Sequence, residues 1–311
     1  FISLLMVTFH CIPVKKHGLF FGLAQGIGTL GPFLAGAPLM MLTQALHHQW
    51  RKELICASLA GFLLMALSAF FMKKQRFSPA TTAHKTTIFA ALKPLLLQKK
   101  LRWLILYAAT NYVPLALLGT LWGTTYLETY GLPPVQAAFI ASMLWCGLAI
   151  GAPLFGLLSD ITQQRKPALV ASAALGLVVS LILLYVPDKH AALFFCLFFL
   201  LGVASAGQSI AFLSIAESVN THLRATALGL NNACISFSIA VMIPAVGFII
   251  QHSLHQPNNL STPVFHTHNF TLALTVIPVL YCTALLIALF RPFKHQPISE
   301  NNEKINAANR P

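Results

Sequence analysis

Long apolar segments separated by short polar connections dominate the chain. A helix that crosses a membrane needs about 20 predominantly apolar residues, and eight segments meet that length. We predict complete helices at residues 18–44, 54–72, 101–127, 136–158, 167–186, 191–216, 225–250 and 269–290. A shorter apolar run at residues 1–9 predicts the end of a ninth helix, and hence a fragment or a truncated reading frame. The pattern as a whole predicts an all-α polytopic membrane protein.

The basic residues are unevenly divided between alternate connections. If the connection that holds Lys15 and Lys16 is placed inside, 17 of the 20 Lys and Arg residues lie on that side. The other side keeps Arg51, Lys52 and Lys189. Such a bias fixes the orientation of membrane proteins, with the basic loops in the cytoplasm. We therefore expect a multi-pass protein of the cell (inner) membrane, with its central linker and C-terminus cytoplasmic.

Composition supports a lipid environment and excludes several classes of soluble protein. Hydrophobic residues make up 57% of the chain and charged residues 9%, against about 25% charged in soluble domains. The net charge of +13 would suit a nucleic-acid binder, but here it lies in loops between apolar segments. The six cysteines form no CxxC pair or zinc motif. We expect no nucleic-acid partner, no metal and no cofactor.

The longest basic connection divides the chain into unequal parts. Residues 73–100 carry seven Lys or Arg and no acid. Apolar residues recur there at roughly helical spacing, which predicts a helix on the membrane surface, with a solvated linker as an almost equal alternative. We expect a remnant N-terminal bundle at residues 1–72, the linker at 73–100, a six-helix bundle at 101–290 and a tail at 291–311.

A sparse internal repeat relates the two parts. When the first part is shifted by 207 residues, residues 17–25 fall on residues 224–232. In both places a helix opens after a basic group and contains a proline, Pro38 or Pro244, deep inside it. Many transporters are built from two related halves, so the repeat predicts that the first part belongs to an incomplete bundle.

A motif in the connection between the fourth and fifth complete helices points to a family. Residues 156–167 read Gly-Leu-Leu-Ser-Asp-Ile-Thr-Gln-Gln-Arg-Lys-Pro. They resemble the G-x-L-[SA]-D-x-x-x-R-[RK] loop of the major facilitator superfamily of transporters (MFS). Counted back from the C-terminus, this copy is the loop between helices 8 and 9, so the complete spans are helices 5–12. The loop departs from the family pattern at Ile161, where a basic residue is usual, and at Gln163 and Gln164, where a glycine is usual.

The charged residues of this loop have a physical role in such a family. Asp160 can face the positive amino end of a neighbouring helix. Arg165 can pair with an acid at an adjacent helix end, and Glu217 is the candidate. By resemblance, Asp160, Arg165 and Glu217 would form a conformational latch that holds the outward-open state. The alternative is a loop whose charges only set the topology.

Polar side chains within the spans are candidate substrate-binding groups. In the family, helices 1, 4, 7 and 10 line the central cavity, and helices 7 and 10 are both present here. Our six candidates are Tyr107, Asn111, Trp122, Gln208, Asn232 and Gln25. Amides avoid lipid, so the four Asn and Gln side chains should face the interior. Their alternative role is to hydrogen-bond helices to one another.

The resemblance implies secondary active or facilitative transport of a small polar organic solute by alternating access. Amino acids, peptides, sugars and organic acids all remain open as solutes. None of the seven acids lies in mid-membrane, so H+ as a coupling ion would need a carrier elsewhere, and a symporter and a uniporter both remain open. Residues 111–123 loosely resemble the branch near lysosomal dipeptide transporters. We expect a monomer within the lipid bilayer.

Two other functions compete with transport. An integral-membrane enzyme would need clustered His, Asp, Ser or Cys residues near one leaflet. The sequence contains no such cluster, and we expect no enzyme. A truncated relic that senses or scaffolds without transporting is the other alternative.

Overall fold

The structure is a computed structural model, and it describes residues 5, 8–9, 12–13, 16–45, 49–71, 88–186, 190–253 and 267–291. Within these residues all the regular elements are helices. Seven helical spans there are long and apolar enough to cross a membrane. An eighth helix has a shorter apolar stretch, Leu54–Phe70. The predicted all-α polytopic fold is confirmed.

The described helices follow the predicted spans closely, and they are numbered here in chain order. They are α1 His17–Leu34, α2 Ala37–Ala45, α3 Trp50–Phe71, α4 Ile88–Leu97, α5 Lys99–Leu117, α6 Gly123–Glu128, α7 Pro134–Ile161, α8 Arg165–Tyr185, α9 Ala191–Ser205, α10 Gly207–Ser218, α11 Arg224–Ser253, α12 Thr267–Leu274 and α13 Val276–Phe290. A π-helical turn, Leu118–Trp122, joins α5 to α6 in one continuous span.

Three of the predicted spans are interrupted, and proline explains two of the breaks. α1 ends at Leu34 and α12 ends at Leu274. Each of these ends lies four residues before a proline, Pro38 or Pro278. Proline has no N–H to donate to the carbonyl four residues earlier, so the helical hydrogen-bond ladder is interrupted there. The third break, at Ala206 between α9 and α10, has another cause that involves the candidate site.

Small residues allow α1 to pack closely against α7. Gly18, Gly22 and Gly26 are spaced one turn apart on α1. A Cβ atom at any of the three would come within 2.5 Å of a carbonyl oxygen of α7. Helix backbones approach this closely in membranes where small residues repeat every four positions. The contact joins α1, from the first part of the chain, to the helices that follow the linker.

Helix ends from both parts of the chain meet on one side, which we call the basic side. α1, α5, α8 and α11 begin there, next to the ends of α7 and α10. Lys99, Arg165 and Arg224 open three of these helices. A buried cluster around Phe21, Tyr107 and Phe212 lies beneath this side, and a larger cluster around Tyr126, Trp145 and Phe198 fills the rest.

Parts of the predicted domain organisation lie outside the described residues. These are most of residues 1–15, residues 72–87 of the linker and the tail from residue 292. The described part of the linker contains α4, a ten-residue helix. Its position on a membrane surface and the division of the chain into two bundles stay predictions.

Candidate functional site

Asp160 binds the amino end of α1 from the last turn of α7. Its two carboxylate oxygens accept hydrogen bonds from the backbone N–H groups of Gly18, at 3.0 Å, and Leu19, at 2.8 Å. The first N–H groups of a helix have no partner within the helix and carry its positive dipole end. A carboxylate therefore satisfies them better than a neutral group. This contact joins the two parts of the chain.

Arg165 bridges two carboxylates on the same side. One guanidinium nitrogen lies 3.0 Å from Asp160 Oδ1, and another lies 2.7 Å from Glu217 Oε1. Nε also donates to Glu217 Oε2 at 3.3 Å, so the contact with Glu217 is bidentate. The Arg165 side chain is only 10% exposed. Charge-assisted hydrogen bonds of this kind are about twice as strong as neutral ones. The three predicted latch residues thus lie together, and we call them the Arg165 cluster.

The loop that follows Asp160 contains an unusual backbone conformation. Gln163 has φ of 52°, in the left-handed region. This is one of the two positions where the family pattern places glycine, which adopts that region at no steric cost. The Gln163 side chain donates a hydrogen bond to the Asp160 carbonyl, which offsets part of the strain. The loop therefore turns without glycine and still places Arg165 beside Asp160 and Glu217.

The end of α10 beside Glu217 is held by further polar contacts. Arg224 Nε donates to the Ala216 carbonyl at 2.8 Å. Gln98 Nε2 donates to the Ser218 carbonyl at 3.2 Å. The last carbonyls of a helix lack helical partners, so cationic and amide donors stabilise this end. Glu217 consequently sits at a fixed helix end that faces Arg165.

A cavity of about 320 Å³ lies between α1 and the helices α5, α10 and α11. We call it the amide cavity, and it is lined by Gln25, Tyr112, Gln208, Asn232, Ile235, Ser236 and Ile239. Three of the six predicted substrate-binding residues, Gln25, Gln208 and Asn232, are brought together here. Among the described residues, no charged side chain lines the cavity. Gln208 is 6% exposed and its Oε1 atom has no hydrogen-bond partner in the described part of the chain.

Tyr107 and Asn111 have partners on other helices and do not line the amide cavity. The Tyr107 hydroxyl donates to the Leu169 carbonyl at 2.7 Å. Asn111 Nδ2 donates to Ser172 Oγ at 3.1 Å, and Oδ1 accepts from the Gln208 backbone N–H at 3.1 Å. Both side chains are fully buried. Their contacts correspond to the alternative role, in which polar side chains hydrogen-bond helices to one another.

Asn111 also explains the third helix break. In an uninterrupted helix the Gln208 N–H would donate to the Ala204 carbonyl. Here Asn111 accepts that N–H, and the Ala204 carbonyl accepts Ser172 Oγ at 2.7 Å and Asn111 Nδ2 at 3.4 Å. Side chains from α5 and α8 therefore replace the missing backbone bond. Asn111 positions Gln208 beside the amide cavity rather than lining it.

Three further residues differ from the site predicted from the sequence. Trp122 donates from its indole nitrogen to the Ile243 carbonyl at 3.1 Å, away from the cavity. Tyr112 and Ser236 line the cavity and were not among the candidates. A signal for Ser236 existed, since it lies one helical turn after Asn232 and so shares its face. Tyr112 had no such signal, because it lies only about 100° around α5 from Asn111, whose side chain bonds α8 and α10 instead.

Comparison with known proteins identifies the family. No curated protein matches the chain. The sequence profile described as Major Facilitator Superfamily matches residues 1–243, well over half of the chain. Members of this family transport solutes across membranes and are not enzymes, which agrees with the apolar helices of the fold. The family profile does not distinguish the lysosomal dipeptide branch. The chain belongs to the major facilitator superfamily of membrane transporters.

Proposed function

We propose that this protein moves a small polar organic solute by alternating access and that the amide cavity is its solute site. The observation that carries the proposal is that α1, from the first part of the chain, shares one cavity with α5, α10 and α11. Its volume of about 320 Å³ lies within the range of small-molecule sites. Rocking of two parts around a shared site exposes that site to either side in turn.

The lining of the cavity favours solutes without a strong net charge. Gln25, Gln208 and Asn232 each offer amide donors and an acceptor, and Tyr112 and Ser236 offer hydroxyls. A charged group taken into this cavity would lose its water without gaining an opposite charge among the described residues, which is costly. Sugars therefore fit this lining best, zwitterionic amino acids and small peptides, whose opposite charges partly offset each other, fit less well, and organic acids fit worst.

The Arg165 cluster supplies the conformational latch in this proposal. Asp160 holds the amino end of α1, and Arg165 ties Asp160 to Glu217 at the end of α10. Both ion pairs are largely shielded from solvent. Opening of the basic side separates α1 from α7 and breaks these bonds. Closure there corresponds to the outward-open state if the basic side faces the cytoplasm.

Uptake into proteoliposomes tests the proposal. The protein, expressed from its complete reading frame, is reconstituted and offered radiolabelled neutral amino acids, dipeptides, sugars and organic acids. We expect saturable uptake of at least one neutral solute, and loss of most of that uptake in Gln208→Leu. Thr283→Val changes a polar group on an exposed part of α13 and should leave uptake unchanged. Uptake equal to that of empty liposomes over the whole panel, with correctly folded protein, would overturn the proposal.

The same vesicles test coupling and the loose resemblance to dipeptide transporters. If an imposed pH gradient drives accumulation above equilibrium, H+ moves with the solute, whereas simple equilibration indicates facilitated transport. Preference for dipeptides over their free amino acids would place the protein near the dipeptide branch.

We propose further that the protein acts as a monomer in the cell membrane with the basic side in the cytoplasm. The positive-inside distribution supports that orientation. An epitope at the C-terminus should be accessible in inside-out vesicles and protected in intact cells, and light scattering should give the mass of one copy.

A further inference from the structure

A second concave surface lies away from the amide cavity, between α5 and α11. This apolar groove encloses about 560 Å³ and is lined by Leu96, Arg102, Ile105, Leu106, Ala109, Ala233, Cys234, Phe237 and Ser238. Its walls are almost entirely hydrocarbon. Leu96, Leu106 and Phe237 are 48%, 41% and 71% exposed. In the part of the chain that the structure describes, the groove is therefore open along the side of α5 and α11.

One end of the apolar groove carries positive charge. Arg102 lines it one turn into α5, on the basic side. Lys99 lies three residues before Arg102, and Lys93 lies three residues before Leu96 on α4, so each shares a helix face with a lining residue. All three are exposed. Among the described residues none of them forms an ion pair, since both described ion pairs belong to Arg165.

We propose that the apolar groove binds an anionic phospholipid, with its phosphate against Arg102 and an acyl chain along the hydrocarbon wall. The charge and the apolar wall complement the two parts of such a lipid. Arg pairs with phosphate through two parallel hydrogen bonds, which a point charge cannot match. Each buried methylene of the chain adds to the affinity. Lys99 and Lys93 attract the anionic headgroup without a fixed geometry.

The groove lies on the reverse face of a helix that lines the amide cavity. On α11, Cys234 and Ser238 line the groove, while Asn232 and Ser236 line the cavity. A lipid seated in the groove therefore contacts α11 from behind the proposed solute site. Its occupancy would support the position of α11 without touching the solute.

Two other occupants are compatible with the hydrocarbon wall. A helix of a second copy of this chain, or another transmembrane helix, could cover Leu106 and Phe237. Neither would need an anionic phosphate beside Arg102. The charge requirement therefore separates the lipid from both.

Native mass spectrometry of the full-length protein tests the proposal without any transport measurement. The protein is mixed with equal amounts of phosphatidylglycerol and phosphatidylcholine that carry the same acyl chains. We expect phosphatidylglycerol to be retained preferentially. Arg102→Gln should weaken its binding about tenfold, because the glutamine amide can keep one of the two hydrogen bonds to the phosphate and only the other is lost. Lys16→Gln removes the same charge from an exposed basic-side position outside the groove and should change nothing. Ala233→Trp should displace both lipids by filling the groove.

Three results would overturn the proposal. They are equal binding of the two lipids with no effect of Arg102→Gln, complete displacement of phosphatidylglycerol by inorganic phosphate, and a dimer that Phe237→Ala dissociates. The last would assign the groove to a second copy. The two lipid results leave the transport proposal untouched, because no solute is present in the assay, whereas a dimer would also contradict the proposed monomer.

Discussion

The replacement Asp160→Asn removes one charge from the contact between the two parts of the chain while keeping the shape of the side chain. The Asp160 carboxylate is 8% exposed and accepts three hydrogen bonds, from the N–H groups of Gly18 and Leu19 and from Arg165. Asparagine offers one oxygen in place of two, and its NH2 group would face a donor.

The structure sets the magnitude of the effect. Each hydrogen bond to a charged group contributes about 1.5–3 kcal/mol, against about 0.5–1.5 kcal/mol for a neutral one. The charge at the amino end of α1 adds about 0.3–1 kcal/mol. One lost bond and two weakened bonds, partly relaxed, therefore cost about 3 kcal/mol. The ratio of open to closed molecules on the basic side should rise about 100-fold, because each 1.4 kcal/mol is a factor of ten.

Pulsed electron spin resonance measures this ratio directly. Spin labels at Phe20 on α1 and Ile161 on α7, both exposed, are introduced after the native cysteines are replaced by serine. We expect a short-distance population to dominate in the parent protein and a longer-distance population to grow in Asp160→Asn. Glu128→Gln, at the end of α6 and outside the Arg165 cluster, serves as the matched control and should leave the distances unchanged.

If Asp160→Asn is folded and its distance distribution equals that of the parent, Asp160 does not control the opening of the basic side. The contact would then be a static part of the α1–α7 interface. If Asp160→Asn does not fold, Ser159→Ala is tested instead. This variant removes only the neutral hydroxyl beside Arg165 and should shift the distance distribution in the same direction by a smaller amount.

Three further predictions concern the packing and the loop. Gly22→Ala should lower the melting temperature in detergent, because the added Cβ would overlap α7. Gly28→Ala has open space around it and should leave the melting temperature unchanged. Equal effects of the two replacements would contradict the close α1–α7 contact. Gln163→Gly should raise stability by up to about 1 kcal/mol by relieving the left-handed backbone, and an unchanged or lower melting temperature would count against strain there. Asn111→Leu should reduce uptake and destabilise the protein by about 1–3 kcal/mol, because it leaves the Gln208 N–H buried without a partner; normal uptake would refute the positioning role.

The spans and two of their breaks follow from local chemistry. Apolar segments of membrane-spanning length predict the helices directly, and the missing N–H groups of Pro38 and Pro278 account for two breaks. Pro153 and Pro244 lie inside the uninterrupted helices α7 and α11, so a proline alone does not predict where a break occurs. The break at Ala206 could not be predicted in this way. It depends on Asn111 and Ser172, which come from helices distant in sequence and replace one backbone hydrogen bond.

Only part of the candidate site could be predicted from the sequence. The requirement that amides avoid lipid selected Gln25, Gln208 and Asn232, which line the cavity. The same requirement selected Asn111, because an amide that bonds a neighbouring helix and an amide that faces a cavity obey the same rule. Helical spacing cannot separate them, since the difference lies in which helix packs against that face. Tyr112 therefore emerged only from the packing.

Solute counterflow in proteoliposomes tests the central claim most directly. Vesicles loaded with a high concentration of unlabelled neutral solute are diluted into a trace of the labelled form. If the amide cavity alternates between the two sides, the labelled solute should accumulate transiently inside, and Gln208→Leu should abolish the accumulation while Thr283→Val keeps it. Accumulation no greater than in protein-free vesicles, for every solute in the panel, would contradict transport through this cavity.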